Sequence, residues 1–453
     1  MSLDPDLEEM RRIGHAAIDR ATAHLAALRD RRVVTPPDAA ALRALVDEPL
    51  PVEGRGLDDT LERFFADLLP RATLVNHPRF FAYVPGPGSF AGAVGEWLAA
   101  ATNTFVGTWL GGAVMAQLEV QTLGWLAAAL GLDGHRHGIV TSGGSMANLG
   151  ALAAALADRD RDRAVVYVGD QAHYSIAKAA RVLGLAADRV RAVASDGDQR
   201  LDLGALRAAL DRDRAQGLQP AAVAATAGTT STGAVDPLPQ LADLCRAQGL
   251  WLHCDAAYGG ALALLPQGRA LLAGWERADS ITVDPHKWFY APFECGCLLV
   301  RDPRPLRRAF GGDADYMQDI PRDETNFFAL GPELSRGNRA LKLWFLLRGH
   351  GTAAIARHVQ QDLDHCRLAH DLLARDPRVE IVTPQRMSMF SFARRGDDAA
   401  TRALVPKLIR CGFTMLSSTL VGGRYAVRVC VANHRTTADD VRASMQRVLE
   451  LLD

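Results

Sequence analysis

The sequence predicts an α/β protein: a largely parallel sheet in one large domain, a helical arm before it and a small α+β domain after it. Three observations lead there. Short apolar runs alternate with helical stretches through the middle of the chain. A strand near residue 140 runs into a glycine-rich turn and then an Ala/Leu-rich helix. From about residue 350 the pattern turns β-like and closes on a capped helix.

The arm is expected over 1–70, where Met10, Ile13, Ala17, Ile18 and Ala21 fall at helical spacing before a break at Thr35-Pro36-Pro37. The large domain is expected over 71–349. Within it 164–169, 190–194, 221–226, 249–255, 279–284 and 297–301 read as strands, and helical stretches between most of them make the sheet largely parallel. The small domain follows over 350–453. There 378–383, 387–392 and 424–431 read as β, and Thr437-x-x-Asp440 caps a helix that carries Val441, Met445, Val448, Leu449 and Leu452 on one face.

Composition narrows the function classes. With 453 residues, 48% of them hydrophobic, the chain can bury a substantial core, and a net charge of -1 argues against nucleic acid or a membrane surface as partner. The seven cysteines form no Cys-x-x-Cys pair and read as reduced, with no metal site. The start is acidic and polar, unlike a signal peptide, and apolar stretches such as 123–132 are too short to span a bilayer, so a cytoplasmic location is expected.

The chemistry is carried by an acid and a lysine. Asp255 ends the 249–255 strand, where open α/β sheets place their ligands, and Lys287 follows the 279–284 strand on the same rim. A lysine condenses with the aldehyde of pyridoxal phosphate, and a carboxylate partners the protonated nitrogen of its ring. Taken singly, the acid would read as a turn residue and the lysine as a solvated charge. The turn Ser142-Gly143-Gly144-Ser145 adds a third element, since glycines let backbone N–H groups at a helix start approach a phosphate. It is neither a Gly-Lys-Ser/Thr loop nor a Gly-x-Gly-x-x-Gly fingerprint, which counts against ATP and NAD.

The ordered set Ser142-Gly143-Gly144-Ser145, Asp170-Gln171-Ala172-His173, Ala227-Gly228-Thr229-Thr230, His253-Cys254-Asp255-Ala256-Ala257-Tyr258 and Asp284-Pro285-His286-Lys287-Trp288 resembles the group II pyridoxal-phosphate-dependent amino-acid decarboxylases. The resemblance is dense over roughly 70–350. It implies the fold type I architecture of pyridoxal-phosphate enzymes and a homodimer with shared active sites. It assigns Lys287 to the cofactor aldehyde, Asp255 to the ring nitrogen, and His173 to stacking on the ring and control of protonation. Gly144 and Ser145 take the phosphate with His286 nearby, Thr230 lies beside the ring and Ala257 packs on its other face.

For the substrate, the resemblance points to Phe80 and Tyr83 on one segment and to Phe105 and Trp109 on another that reaches the neighbouring site. These rings favour an aromatic or bulky apolar amino acid, although aromatic residues at such spacing also suit a core. Counting back from Arg339-Ala340-Leu341-Lys342-Leu343-Trp344 puts Phe327 where animal relatives carry a proton-donating tyrosine. Phenylalanine there is associated with oxidative loss of carbon dioxide to an aldehyde, and Tyr316 is an alternative donor. Decarboxylation of an L-amino acid to its amine is the leading expectation, ahead of the oxidative reaction and of a non-catalytic homologue. Arg428 reads as a structural arginine, because a decarboxylase gains nothing by neutralising the carboxylate it expels.

Overall fold

A computed structural model describes residues 3–312 and 315–452, apart from the Tyr316 side chain. Asp313, Ala314 and the hydroxyl of Tyr316, the alternative donor, therefore lie outside the described residues.

The large sheet has seven strands: β1 (His137–Thr141), β2 (Ala164–Gly169), β3 (Val190–Val193), β4 (Gln219–Thr226), β5 (Trp251–Asp255), β6 (Ser280–Val283) and β7 (Gly296–Val300). Their order is β1-β7-β6-β5-β4-β2-β3. From β6 through β3 every neighbouring pair is parallel, whereas β7 runs antiparallel to both β6 and β1. The reason lies in the connections. Parallel neighbours need a crossover, usually a helix, while the segment between β6 and β7 contains none and simply turns back. Residues of β2 are buried throughout, as are the last six of β4 and the last four of β5, which suits their Val/Ala-rich sequences to a sheet covered on both faces.

Helices α1 (Leu7–Ala26), α2 (Phe90–Thr102) and α3 (Ala113–Ala129) precede the sheet, and α4 (Gly144–Ala155) and α5 (Ser175–Val182) follow β1 and β2. The long helical segment α6 (Ala340–Ala374) spans the expected boundary at 349/350. Its two stretches meet at Gly351, with φ 72° and ψ 161°. Leu346 and Leu347 before that break join the large-sheet core, whereas Cys366, Ala369 and Leu373 after it join the core of the small sheet.

The small sheet is antiparallel, ordered β10-β11-β9-β8, from β8 (Val379–Arg386), β9 (Met389–Arg394), β10 (Ser417–Val421) and β11 (Arg424–Cys430). Strand β10 was not expected from the sequence. It is a Ser/Thr-rich edge strand with Ser418 and Leu420 exposed, so it lacks a clear apolar face. Helix α7 (Ala438–Glu450) begins as expected: Thr437 Oγ1 accepts from Asp440 N–H and Asp440 Oδ2 accepts from Thr437 N–H, a reciprocal cap that contributes about 1 kcal/mol.

One ion pair is wholly buried. Glu119 on α3 and Arg336 meet at 2.9 Å with neither side chain exposed; Glu119 also accepts from Val140 N–H, and Arg336 donates to the Val140 carbonyl. The segment before α6 is thereby bolted to β1, directly beneath the glycine turn. No helix among the described residues is long and apolar enough to cross a membrane.

Candidate active site

The carboxyl ends of β4, β5 and β6 and the turn after β1 enclose a cavity of about 520 Å³. Strand register sets its chemistry. Asp255 sits opposite Thr226 on one side and Thr282 on the other, so three consecutive parallel strands end level with one another. Asp255 is 6% exposed, accepting from Ala257 N–H at 3.1 Å and from the Asn148 amide at 2.9 Å. Lys287 follows β6 by one short turn and reaches back to Asp284, Nζ to Oδ2 2.9 Å. Burial alone would lower the lysine pKa, but the Asp284 and Asp255 carboxylates outweigh it and hold the ammonium form above its ordinary range.

The turn after β1 explains its glycines. Gly143 has φ 155°, and a Cβ there would lie 3.1 Å from the His286 ring, while one on Gly144 would lie 2.8 Å from Asp284 Oδ2. Helix α4 starts at Gly144 with Ser145 exposed in the cavity, so unpaired N–H groups and a hydroxyl converge there. His286 accepts from Cys295 N–H through Nδ1 and packs its ring 4.8 Å from Phe293. Its pKa is lowered, first by burial.

His173, half-buried on the far wall, accepts at Nδ1 from Ser175 Oγ at 2.8 Å, and burial lowers its pKa despite the opposing Asp255 charge. Ala257 and Thr230 line the same space. Arg428 donates to the Thr230 carbonyl and to Ser417 Oγ, the second at 3.2 Å, a structural role for that guanidinium. Lys287, Asp255, His173, Gly144, Ser145, Thr230, Ala257 and His286 thus come together. The donor set fits pyridoxal phosphate: a cradle that a Cβ would fill for the phosphate, an amine for the aldehyde and a carboxylate for the ring nitrogen.

The aromatic residues fall elsewhere. Phe80 is a correction: it is 1% exposed, in a separate core with Val33, Val34, Ala82 and Met415, because its backbone bridges to Met415. Phe327 is a second correction. It is fully buried among Ile139, Leu298 and Leu306, with the Arg336 guanidinium 4.8 Å from its ring, so it offers no surface to a substrate. Tyr83 is exposed, with φ 53° and its N–H on Ser417 Oγ, the same hydroxyl that Arg428 holds. Phe105 packs beneath Gly107 and Gly111, where a Cβ would come within 2.6 and 2.4 Å of its ring. Trp109 leans half-buried on the core around Phe327. Neither Tyr83, Phe105 nor Trp109 lines the cavity of its own chain.

Sequence reasoning passed over Asn148, Ser175, His253 and Phe293. Asn148 had a signal: an asparagine inside an Ala/Leu/Gly helix is poorly placed unless its amide is used. Phe293 and Glu294 line the cavity from the loop before β7, which has no period to read.

Residues 40–395 match the pyridoxal-dependent decarboxylase conserved domain. Over its whole length the chain is 35% identical to an aromatic-L-amino-acid decarboxylase of Bacillus atrophaeus, covering 97% of that protein. It superposes on Oryza sativa TDC, solved with PLP and tryptamine, with a TM-score of 0.95 at 29% identity, covering 100% of this chain and 99% of that one. It also matches Rhodiola rosea 4-hydroxyphenylacetaldehyde synthase, with a TM-score of 0.91 at 27% identity over 98% of each chain.

Proposed function

The chain belongs to the pyridoxal-dependent decarboxylase family, and from that premise we propose that it converts an aromatic L-amino acid to its amine and carbon dioxide at the Lys287–Asp255 cavity. The observation that carries the reading is the level ending of three parallel strands, which brings an amine, a carboxylate and a glycine cradle to one space. Aromatic specificity is favoured by the 35% identity to an aromatic-L-amino-acid decarboxylase.

When bound, pyridoxal phosphate supplies an electron-accepting ring for the pair left behind as the carboxylate departs. The chain's own residues do the rest. Lys287 would hold the cofactor through its amine, and Asp255 would keep a proton at the ring nitrogen. The N–H groups of Gly144 and Ser145 hold the phosphate, with His286 beside them. His173, Ala257 and Thr230, whose carbonyl Arg428 holds, line the space that the ring would occupy.

The aldehyde-forming alternative loses its particular support. It rested on Phe327 standing at a proton-donor position, and a ring fully buried in a core cannot stand there. The reading extends to assembly. Phe105 and Trp109 stand away from their own cavity, and Phe90 and Trp97 expose their rings seven residues apart on α2, so a second copy of the chain covers this face and receives those side chains at its site. A reducing, cytoplasmic setting suits seven free cysteines, of which all but Cys411 are buried.

Purified protein given each aromatic amino acid should release carbon dioxide and amine in equal amounts. Aldehyde with peroxide would overturn the decarboxylase reading, and turnover confined to glutamate or another acidic substrate would overturn the aromatic one.

A further inference from the structure

Behind the cavity wall, a chain of hydrogen bonds runs from an indole to the imidazole of His173, and the fixed donors and acceptors along it set the direction of the rest. Trp251 Nε1 can only donate, and it donates to Ser280 Oγ at 2.8 Å. Ser280 Oγ lies 2.9 Å from His253 Nδ1. His253 is fully buried, its pKa pushed down to about 4 by burial, and its Nε2 faces Asn148 Oδ1, an acceptor only, at 2.9 Å; the neutral ring therefore carries its proton on Nε2, and Nδ1 accepts from Ser280 Oγ.

The opposite end gives the same orientation for Asn148. Its amide nitrogen faces Asp255 Oδ2 at 2.9 Å, an acceptor only, and Thr282 Oγ1 donates to its oxygen at 2.7 Å. The second amide proton goes to Ser175 Oγ at 2.9 Å. Ser175 Oγ keeps its own proton to donate, and among the described residues its other hydrogen-bond partner is His173 Nδ1 at 2.8 Å. The Ser175 backbone N–H also points to Nδ1, at 3.3 Å. Two donors converge on one ring nitrogen.

We infer that Ser175 and Asn148 are positioning residues that fix His173 as the neutral imidazole protonated on Nε2, and tie that state to the carboxylate of Asp255. Nε2 is the nitrogen that no protein group among the described residues holds, so the arrangement presents an N–H donor, not a lone pair, to the cavity. A base at this position would need the other tautomer. The same Asn148 amide that orients Ser175 also holds the Asp255 oxygen, so loosening one end loosens the other. The role in turnover rests on the decarboxylase reading, whereas the tautomer does not.

The test is nitrogen-15 NMR of histidine-labelled holoenzyme, with the His173 resonances assigned by their loss in a His173→Asn variant. Wild type at neutral pH should show a neutral ring with its proton on Nε2. Ser175→Ala should spread the proton over both nitrogens, and Ser175→Thr, which restores a hydroxyl, should return it to Nε2. Asn148→Ala should weaken the bias and lower cofactor affinity several-fold, read by equilibrium dialysis. A wild-type ring protonated on Nδ1, or doubly protonated at neutral pH, overturns the inference without any variant. So does an Nε2–H signal unmoved by Ser175→Ala. These signals report the ring whichever amino acid is turned over, so failure here is distinct from failure of the aromatic reading.

Discussion

The two sides of the cavity are built on different principles. On the cofactor side, Asp255, Lys287 and the glycine turn sit at strand ends whose register is fixed by backbone hydrogen bonds, and a buried network of Asn148, His253, Thr282 and Ser280 backs them. On the side proposed for the substrate, Tyr83, Phe105 and Trp109 ride on loops and stand outside the cavity of their own chain. The contrast teaches that the parallel sheet positions the chemistry within one chain, while the residues proposed for recognition sit on loops outside that cavity. Variants on the cofactor side should act on turnover, and those on the substrate side on recognition.

The largest effect should come from Asp255→Ala. Removing a buried charge partner costs about 3–5 kcal/mol, roughly two to four orders of magnitude in kcat. Some cofactor should remain bound, visible by its absorbance; near-normal turnover would break the assignment of the cofactor side. Glu119→Gln should come next, on stability: it leaves Arg336 buried without its anion, a loss of about 3–5 kcal/mol read by urea denaturation. An unchanged midpoint would mean that the bolt beneath the glycine turn carries no load.

Phe327→Tyr sharpens the boundary between the two sides. A hydroxyl forced into the apolar cluster around Leu298 and Leu306 should cost about 1–3 kcal/mol of stability, with the ratio of amine to aldehyde unchanged. A changed ratio would return Phe327 to the substrate side. Trp109→Ala should have the smallest effect, raising KM by less than roughly tenfold with kcat nearly kept, since recognition and not chemistry is lost. A matched fall in kcat and kcat/KM would place Trp109 among the reacting groups.

Capture of the cofactor by the apoprotein adds a pH dependence. Lys287 must lose a proton before its amine attacks the aldehyde, and the Asp284 and Asp255 charges raise its pKa. The capture rate should therefore climb with pH from neutral upward, and Asp284→Asn should shift that rise to lower pH. Stopped-flow absorbance decides it, and a flat profile would contradict the raised pKa.

The difference between the two sides also governs what could be read from the sequence. Strand β2 matches its expected range residue for residue, and β4, β5, β6 and β7 lie within two residues of theirs, because strands buried on both faces are continuous apolar runs. Asp255 and Lys287 were legible because one closes such a run and the other follows one by a short turn. Phe327 was misplaced because counting back from Trp344 assumes a loop of fixed length, and an irregular loop has no period to check that count. Phe80 looked like its neighbour Tyr83, and what separates them is a long-range bridge to Met415 and a hydrogen bond from Tyr83 N–H to Ser417, neither visible in local pattern. The polar relay behind the cavity was hidden for the same reason. Its members come from four separate segments and meet only when α4, α5, β5 and β6 pack.

The central claim is that Lys287 holds the cofactor, and the chain makes a clean test possible. Its other lysines are Lys178, Lys342 and Lys407. Lys342 is held by Glu96 and the Glu294 carbonyl, Lys407 reaches the Leu451 carbonyl, and of the four only Lys287 lines the cavity. Holoenzyme reduced with borohydride, digested and mapped by mass spectrometry should carry a single pyridoxyl group, on the peptide containing Lys287. A pyridoxyl group on any of the other three, or none at all in protein saturated with pyridoxal phosphate, would contradict the account.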